Sequence, residues 1–345
     1  MTQRVFVIAE AGSNWRMGSP ERDRAMAEQL IKAAAEAGAD AVKFQVFRPE
    51  TLYAIGAGAP GYLGCDVAPL FADLSMPYEM IEGLANICES EGIELMATPF
   101  SVEAFRAIDP FVKRHKLGSY ELSHLRLLEC LAASGKPAIL SVGGSTLEEI
   151  DWAVETFTSA SSSDRPELSL MQCTLSYPTP LEDANVSFLQ TLQERYDRRY
   201  RVGLSDHTRE PLIAPLLAIG LGATVIEKHF TLHNALPGPD HRFAITADEL
   251  KLLVTSIRQA ERAVGDPKKH SVPSERELVN FALRALQTTR TVEAGEQWRE
   301  NENFAILRPG NQPKGVHPMR LSEIEGRICT RHMKAGEGIC DGDWK

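Results

Sequence analysis

Along the first three-quarters of the chain, short runs of β-branched and aliphatic residues alternate with longer amphipathic stretches. The apolar runs predict eight strands: Val5 to Glu10, Ala41 to Gln45, Ile93 to Ala97, Val112 to Leu117, Ala138 to Val142, Leu168 to Gln172, Arg201 to Leu204 and Thr224 to Glu227. Between them, Glu21 to Ala37 has apolar residues at helical spacing. Ser145 to Phe157 opens on a Ser/Thr start with early glutamates, and Ala247 to Val264 closes the series. Strand, helix, strand in repeated order implies right-handed parallel units. Eight such units in about 260 residues predict a (β/α)8 TIM barrel, the α/β class whose usual length is near 250 residues. An open doubly wound sheet is the alternative, and no GxGxxG turn follows the first strand to support it.

After Gly265 the pattern breaks. Residues 266–284 begin as a polar, proline-bearing linker, and Glu275 to Leu286 predicts a short helix. Residues 285–345 are short segments punctuated by glycine, which predicts a small β-rich module behind a barrel domain of residues 1–265.

Composition narrows the function classes. The net charge is -10, and residues 285–345 hold nine Lys plus Arg against nine Asp plus Glu, so the acidic excess belongs to the barrel segment. Neither part has the basic footprint of a nucleic-acid binder. The longest uncharged stretch, Pro211 to Ile226, contains two prolines and two glycines and falls short of the roughly 20 residues that span a bilayer. VFVIA before Glu10 comes without a basic leader, a long apolar stretch and a cleavage site, so no secretory signal is expected. Six scattered cysteines (Cys65, Cys88, Cys130, Cys173, Cys329, Cys340) form no disulfide or CxxC framework, so a cytoplasmic location is expected.

A barrel presents its chemistry at the C-terminal strand ends, and nearly every one here is polar. His207 and His229 follow consecutive strands with acidic residues close by. They read either as hydrogen-bonded structural histidines or as neutral ligands of a metal with open positions. Two nitrogens without a nearby cysteine suit Mn2+ or Mg2+ better than a closed zinc site. Lys43, Lys116, Thr98, Ser119, Ser141 and Ser205 supply two ammonium groups and four hydroxyls, a match for a small phosphorylated, carboxylated anion. Glu10, Gln45, Tyr177 and Asp240 suit a polyol or acid/base work, and Glu121 ends the fourth strand region.

The stretches IAEAGSN, AGADAVKFQ, ATPFS, GKPAILS, CTLSYPTPLED, GLSDHT, GATVIEKHFTL, PGPDH and LRPGN resemble, in the same order, those of the sialic acid synthase family. The resemblance implies a barrel joined to an antifreeze-like (SAF) domain in a domain-swapped homodimer. The implied reaction condenses phosphoenolpyruvate with N-acetylmannosamine or a related N-acetylated hexose, giving a nonulosonic acid and phosphate. By the same resemblance His207 and His229 are metal ligands. Lys43, Thr98, Lys116, Ser119, Ser141 and Ser205 contact phosphoenolpyruvate, while Glu10, Gln45, Tyr177 and Asp240 contact the sugar. Glu121 lies near the reacting carbons, where it would handle a proton at the water step. Arg308 in LRPGN contacts the N-acetyl group from the partner subunit. Two departures stand out: Trp15-Arg16-Met17 in the first loop, where the family commonly has an Asn-His motif, and Leu175 in place of a polar residue after Thr174. A Schiff-base aldolase using Lys43 or Lys116 and a noncatalytic sugar-binding homologue are the competing functions.

Overall fold

The computed structural model describes residues 4–58, 66–163 and 166–345; Cys65 lies outside them. The chain forms two compact units, Met1–Gly265 and Asp266–Lys345. In the first, eight parallel strands are β1 (Phe6–Gly12), β2 (Ala41–Val46), β3 (Glu94–Pro99), β4 (His115–Leu117), β5 (Ala138–Ser141), β6 (Leu168–Cys173), β7 (Arg201–Asp206) and β8 (Val225–Thr231). Hydrogen bonding runs β3-β2-β1-β8-β7-β6-β5-β4, a nearly closed barrel with β3 and β4 as its two ends. At that seam Arg114, just before β4, donates to both carboxylate oxygens of Glu94 on β3, at 2.7 and 3.2 Å.

Side chains alternate along each strand, so every second residue points inward. Ile8, Ala41, Met96, Ile139, Met171 and Val225 meet inside the barrel as one buried apolar cluster. The opposite faces of the strands pack against the helices in a larger buried core. Gly203 is the tight point of the interior, since a Cβ there would lie 2.5 Å from the Val225 carbonyl oxygen. Among the outer helices, α1 (Pro20–Glu36) starts on a proline after Ser19. The short α2 (Val67–Asp73) lies between β2 and β3. Two helices, Leu147–Ala160 and Ala247–Val264, begin with complete capping boxes, Thr146 with Glu149 and Thr246 with Glu249. No helix among the described residues is long and apolar enough to cross a membrane.

Strand bounds differ from the sequence reading in an informative way. Asp109–Phe111 form a 3-10 turn, which delays β4 to His115. Strands β7 and β8 run on through polar residues to Asp206 and Thr231, so His229 stands within β8 and not beyond it. A two-residue strand at Ile245–Thr246 extends the pairing of β8.

In the second unit the predicted helix over 275–286 is shorter, Arg276–Ala282, because Ala285 and Leu286 belong to a strand. That strand, Ala285–Thr288, pairs antiparallel with Phe304–Leu307. The rest of the unit is held by isolated bridges such as Val292 to Met333 and Gln297 to Ile328, around a buried core that includes Trp298, Phe304 and Ile339. Gly315 permits a close crossing, since a Cβ there would sit 2.1 Å from the Leu286 carbonyl oxygen.

Candidate active site at the barrel mouth

Two residues beyond each member of the interior apolar cluster, the same inward alternation brings up Glu10, Lys43, Thr98, Ser141, Cys173 and Glu227, and all six line one cavity of about 610 Å³. Gln45, Lys116, Ser119, Glu121, Tyr177, Ser205, His207, His229 and Asp240 line it too. The structure therefore gathers every candidate of the barrel domain at one mouth. Arg308 belongs to the second unit, exposed just past the strand Phe304–Leu307.

The floor is a buried charge network. The Lys43 Nζ lies 2.7 Å from Glu10 Oε2 and 3.7 Å from Glu227 Oε2, and it donates to Thr98 Oγ1 at 2.9 Å. Lys116 donates to Ser141 Oγ at 2.8 Å and lies 3.5 Å from Glu227 Oε1, which also accepts from Ser205 Oγ at 2.9 Å. Burial pushes Glu10 up to about 7 against the pull of Lys43, and the charge of Glu227 adds to the rise. Burial acts on Glu227 as well, but Lys116 and Lys43 outweigh it and hold that carboxylate below its ordinary value. Burial outweighs the pull of Glu227 at Lys116 and holds it below its ordinary value, and with Glu10 raised, an anion entering beside both lysines would supply the negative charge this floor lacks. Sequence reasoning noted Glu227 only as a polar strand end. Its place two residues before His229, on the same face of β8, was the signal that could have found it.

Above this floor the two histidine rings stand edge to face, centroids 5.3 Å apart and planes at 65°. The ring of Tyr177 lies against His207 at 4.3 Å, and that of Phe243 against His229 at 5.1 Å. The His207 Nδ1 donates to the Thr174 carbonyl at 2.8 Å, so in the neutral ring Nε2 carries the lone pair; burial pulls this ring down, but Cys173 and the Thr174 carbonyl outweigh it and hold His207 above its ordinary value. His229 Nδ1 is buried with no hydrogen-bond partner and lies 3.6 Å from Asp240 Oδ2. Burial, followed by the charges of His207 and Lys43, holds His229 well below its ordinary value, in the neutral form a metal needs. The donor set fits a divalent ion bound by two imidazoles, and among the described residues no group of three or more His, Cys, Asp or Glu is arranged to hold one. Solvent and substrate would complete the coordination.

Between the histidines in sequence, the opposite strand faces carry a strut that sequence reasoning missed. Lys228, buried beside His229, donates to Asp206 Oδ2 at 2.6 Å, to the Thr208 carbonyl at 2.5 Å and to the Glu210 carbonyl at 2.8 Å. It thereby ties the loop that carries His207 to the strand that carries His229.

Ser119 accepts from the Gly143 backbone at 2.9 Å, and Glu121 Oε2 is buried without a partner. Burial pushes the Glu121 carboxyl from an ordinary 4.5 up to about 8. A raised carboxyl contributes stability that is full below the unfolded value and lost as pH rises through the folded one. Relative to Glu121→Gln, wild-type protein is therefore expected to lose melting temperature between pH 5 and pH 9, on the order of several degrees. Parallel melting curves across that range would show an ordinary, hydrated carboxylate.

The two departures leave the cavity lining itself. Trp15 is buried in the outer core, while its neighbour Ser13 lines the cavity. Leu175 packs over Gly144. Ser176 does not replace the missing polar contact, because its hydroxyl donates to the Pro178 carbonyl at 3.0 Å.

Residues 30–269 match the NeuB family and residues 284–343 the SAF domain. The chain is 36% identical to the spore coat polysaccharide biosynthesis protein SpsE of Bacillus subtilis, over 97% of this chain and 92% of that protein. It is 37% identical to the N,N'-diacetyllegionaminic acid synthase of Legionella pneumophila, over 96% of this chain and 92% of that one. The crystal structure of N-acetylneuraminic acid synthetase from Leptospira borgpetersenii superposes with a TM-score of 0.71 at 31% identity, covering 81% of this chain and 92% of that chain. The chain belongs to the NeuB family, as an enzyme of the synthase class with a SAF domain at its C-terminal end.

Proposed function

We propose that this enzyme condenses phosphoenolpyruvate with the open-chain aldehyde of an N-acylated hexose, giving a nonulosonic acid and phosphate. The observation that carries the reading is the convergence of two buried lysines, a ring of hydroxyls and two neighbouring imidazoles on one cavity. Lys43 and Lys116, with Thr98, Ser119, Ser141 and Ser205, hold the phosphate and carboxylate of phosphoenolpyruvate, so that C3 is presented to the aldehyde carbon. Glu10, Gln45, Tyr177 and Asp240 engage the sugar's hydroxyls and orient its carbonyl. A divalent cation, Mn2+ or Mg2+, held by His207 and His229 would supply Lewis-acid polarisation of the aldehyde oxygen.

C3 forms the new carbon–carbon bond, and the positive charge left at C2 is met by water. Glu121 moves a proton at that oxygen, and the C2–O bond to phosphate breaks. Each turnover consumes one water and releases one phosphate. Burial pulls Lys43 down, but the charges of Glu10 and Glu227 outweigh it and hold its ammonium above the ordinary value, the reverse of what an imine-forming lysine requires; burial holds Lys116 below its ordinary value, so for that lysine the borohydride test decides.

The test is incubation with phosphoenolpyruvate, Mn2+ and a panel of N-acylated hexoses, read by phosphate release and product mass. Phosphate release without a product of the condensed mass, or a borohydride-trapped lysine adduct, would overturn the reading. The proposal includes a homodimer and Arg308 as the contact to the acceptor's N-acyl group. Arg308→Ala is expected to raise the acceptor KM roughly tenfold or more while leaving the phosphoenolpyruvate KM unchanged, because a charge-assisted hydrogen bond is lost. A change in the phosphoenolpyruvate KM alone would argue for a different role.

A further inference from the structure

Lys228 is buried but does not line the cavity, standing on the opposite face of β8 from Glu227 and His229. Its four hydrogen-bond acceptors all lie between residues 206 and 210, in the segment that carries His207: Asp206 Oδ2 at 2.6 Å, the Thr208 carbonyl at 2.5 Å, the Glu210 carbonyl at 2.8 Å and Thr208 Oγ1 at 3.0 Å. An ammonium has three N–H donors, so this one is fully used within a single turn of chain. Asp206 Oδ1 accepts from the Thr208 backbone N–H at 2.8 Å, an Asx turn that folds the segment around the cation. His207 sits at the centre of that turn, flanked on both sides by residues bonded to Lys228, and its own carbonyl accepts from the Thr179 backbone N–H at 2.9 Å. Farther along, Arg209 donates to Glu249 at 3.0 Å and Glu210 accepts from the Leu212 backbone N–H at 2.9 Å. The side chains of Lys228 and Asp206 are 1% and 2% exposed. Loss of the ammonium would leave a carboxylate and two carbonyls without their buried donor, which the segment can relieve only by shifting toward solvent and taking His207 with it.

We infer that Lys228 is a positioning residue for the two imidazoles: by fixing the His207 segment to the strand position next to His229, it sets the spacing at which both rings can hold one divalent cation. The role rests on the cation proposed above. Thr174 orients the His207 ring through Nδ1, but the place of its Cα is set by residues 206 and 208, both bonded to Lys228. With two protein nitrogens on two strands, displacement of one ring removes half of the protein's share of the coordination. Removing an outer partner that holds a metal ligand in place costs about tenfold to a hundredfold in metal affinity.

The experiment measures Mn2+ affinity from the free-ion electron paramagnetic resonance signal, together with melting temperature, on the full chain of the wild type, of Lys228→Met and of Lys228→Met combined with Asp206→Asn. Methionine keeps the bulk of the stem. Asparagine removes the stranded carboxylate charge yet can still accept from the Thr208 N–H, so the double variant separates stability from positioning. Lys228→Met is expected to lower the melting temperature and to weaken Mn2+ binding about tenfold to a hundredfold. The double variant should regain part of the melting temperature while its Mn2+ affinity stays about tenfold or more below wild type. Phosphoenolpyruvate affinity, read by calorimetry without metal, should be unchanged in both, because Lys43 and Lys116 stand on other strands. Mn2+ affinity that is unchanged in Lys228→Met, or that recovers in step with melting temperature in the double variant, would overturn the role and leave the metal site standing. An equal loss of phosphoenolpyruvate affinity would mark general damage to the mouth and overturn it as well. A wild type that binds no Mn2+ would instead remove the metal site itself, and the role of Lys228 with it.

Discussion

Replacing His207 or His229 with alanine is expected to lower kcat/KM by about three orders of magnitude, the effect of removing roughly 4 kcal/mol of charge stabilisation at the aldehyde oxygen. Chelation of the wild type should do the same, and added Mn2+ should restore it. The structure gives a reason for each ring. His229 Nδ1 is buried without a partner, an arrangement that native proteins rarely leave without purpose. The His207 Nδ1 is committed to the Thr174 carbonyl, which fixes the tautomer with Nε2 open. Folding should survive both changes, because the strand interiors and the Lys228 strut to Asp206 and Thr208 are untouched. Loss of the bound Mn2+ resonance in each variant provides a readout independent of turnover. Full activity of the double alanine variant in chelator would remove metal assistance from the mechanism.

The barrel was legible in the sequence because its strands are buried on both faces and therefore appear as unbroken apolar runs, from Val7 in β1 to Val225 in β8. The upper ends of those strands were harder to place. The predicted eighth strand stops at Glu227, because periodicity alone reads a charged residue such as Lys228 beyond it as loop, whereas β8 continues to Thr231. In three dimensions these two residues divide between two faces, Glu227 onto the floor of the cavity and Lys228 outward to its strut. Residue type disclosed that Lys43 and Lys116 were cations at the mouth but could not disclose that a single carboxylate, Glu227, stands between them. That depends on β2, β4 and β8 converging across a nearly closed barrel, a contact between distant strands. The apolar lining that the segment between β2 and β3 gives the cavity was invisible for a similar reason. Leu70 and Phe71 sit on a short helix whose composition suits ordinary core, yet both line the cavity, and Arg16 of the first loop donates to Asp73 at the end of that helix.

The network around Glu227 also separates what Lys116 does for the fold from what it does for the substrate. Lys116→Met removes one of two ammonium groups near the buried Glu227 carboxylate, leaving Lys43 at 3.7 Å. Breaking a buried ion pair from one side costs about 3–5 kcal/mol, which for a domain of this size lowers the melting temperature on the order of 10 °C. Glu227→Gln combined with Lys116→Met removes the stranded charge while keeping side-chain volume, so the double variant should recover most of that loss. Catalysis should not recover with it. If Lys116 binds the phosphate or carboxylate of phosphoenolpyruvate, the double variant still lacks a charge-assisted contact, and its phosphoenolpyruvate kcat/KM should remain about a hundredfold or more below wild type. The acceptor KM should change little in either variant. A purely structural lysine gives a different pattern, in which melting temperature and kcat/KM return together in the double variant. The informative measurement is therefore the pair of recoveries, and activity that tracks stability would remove Lys116 from the anion site.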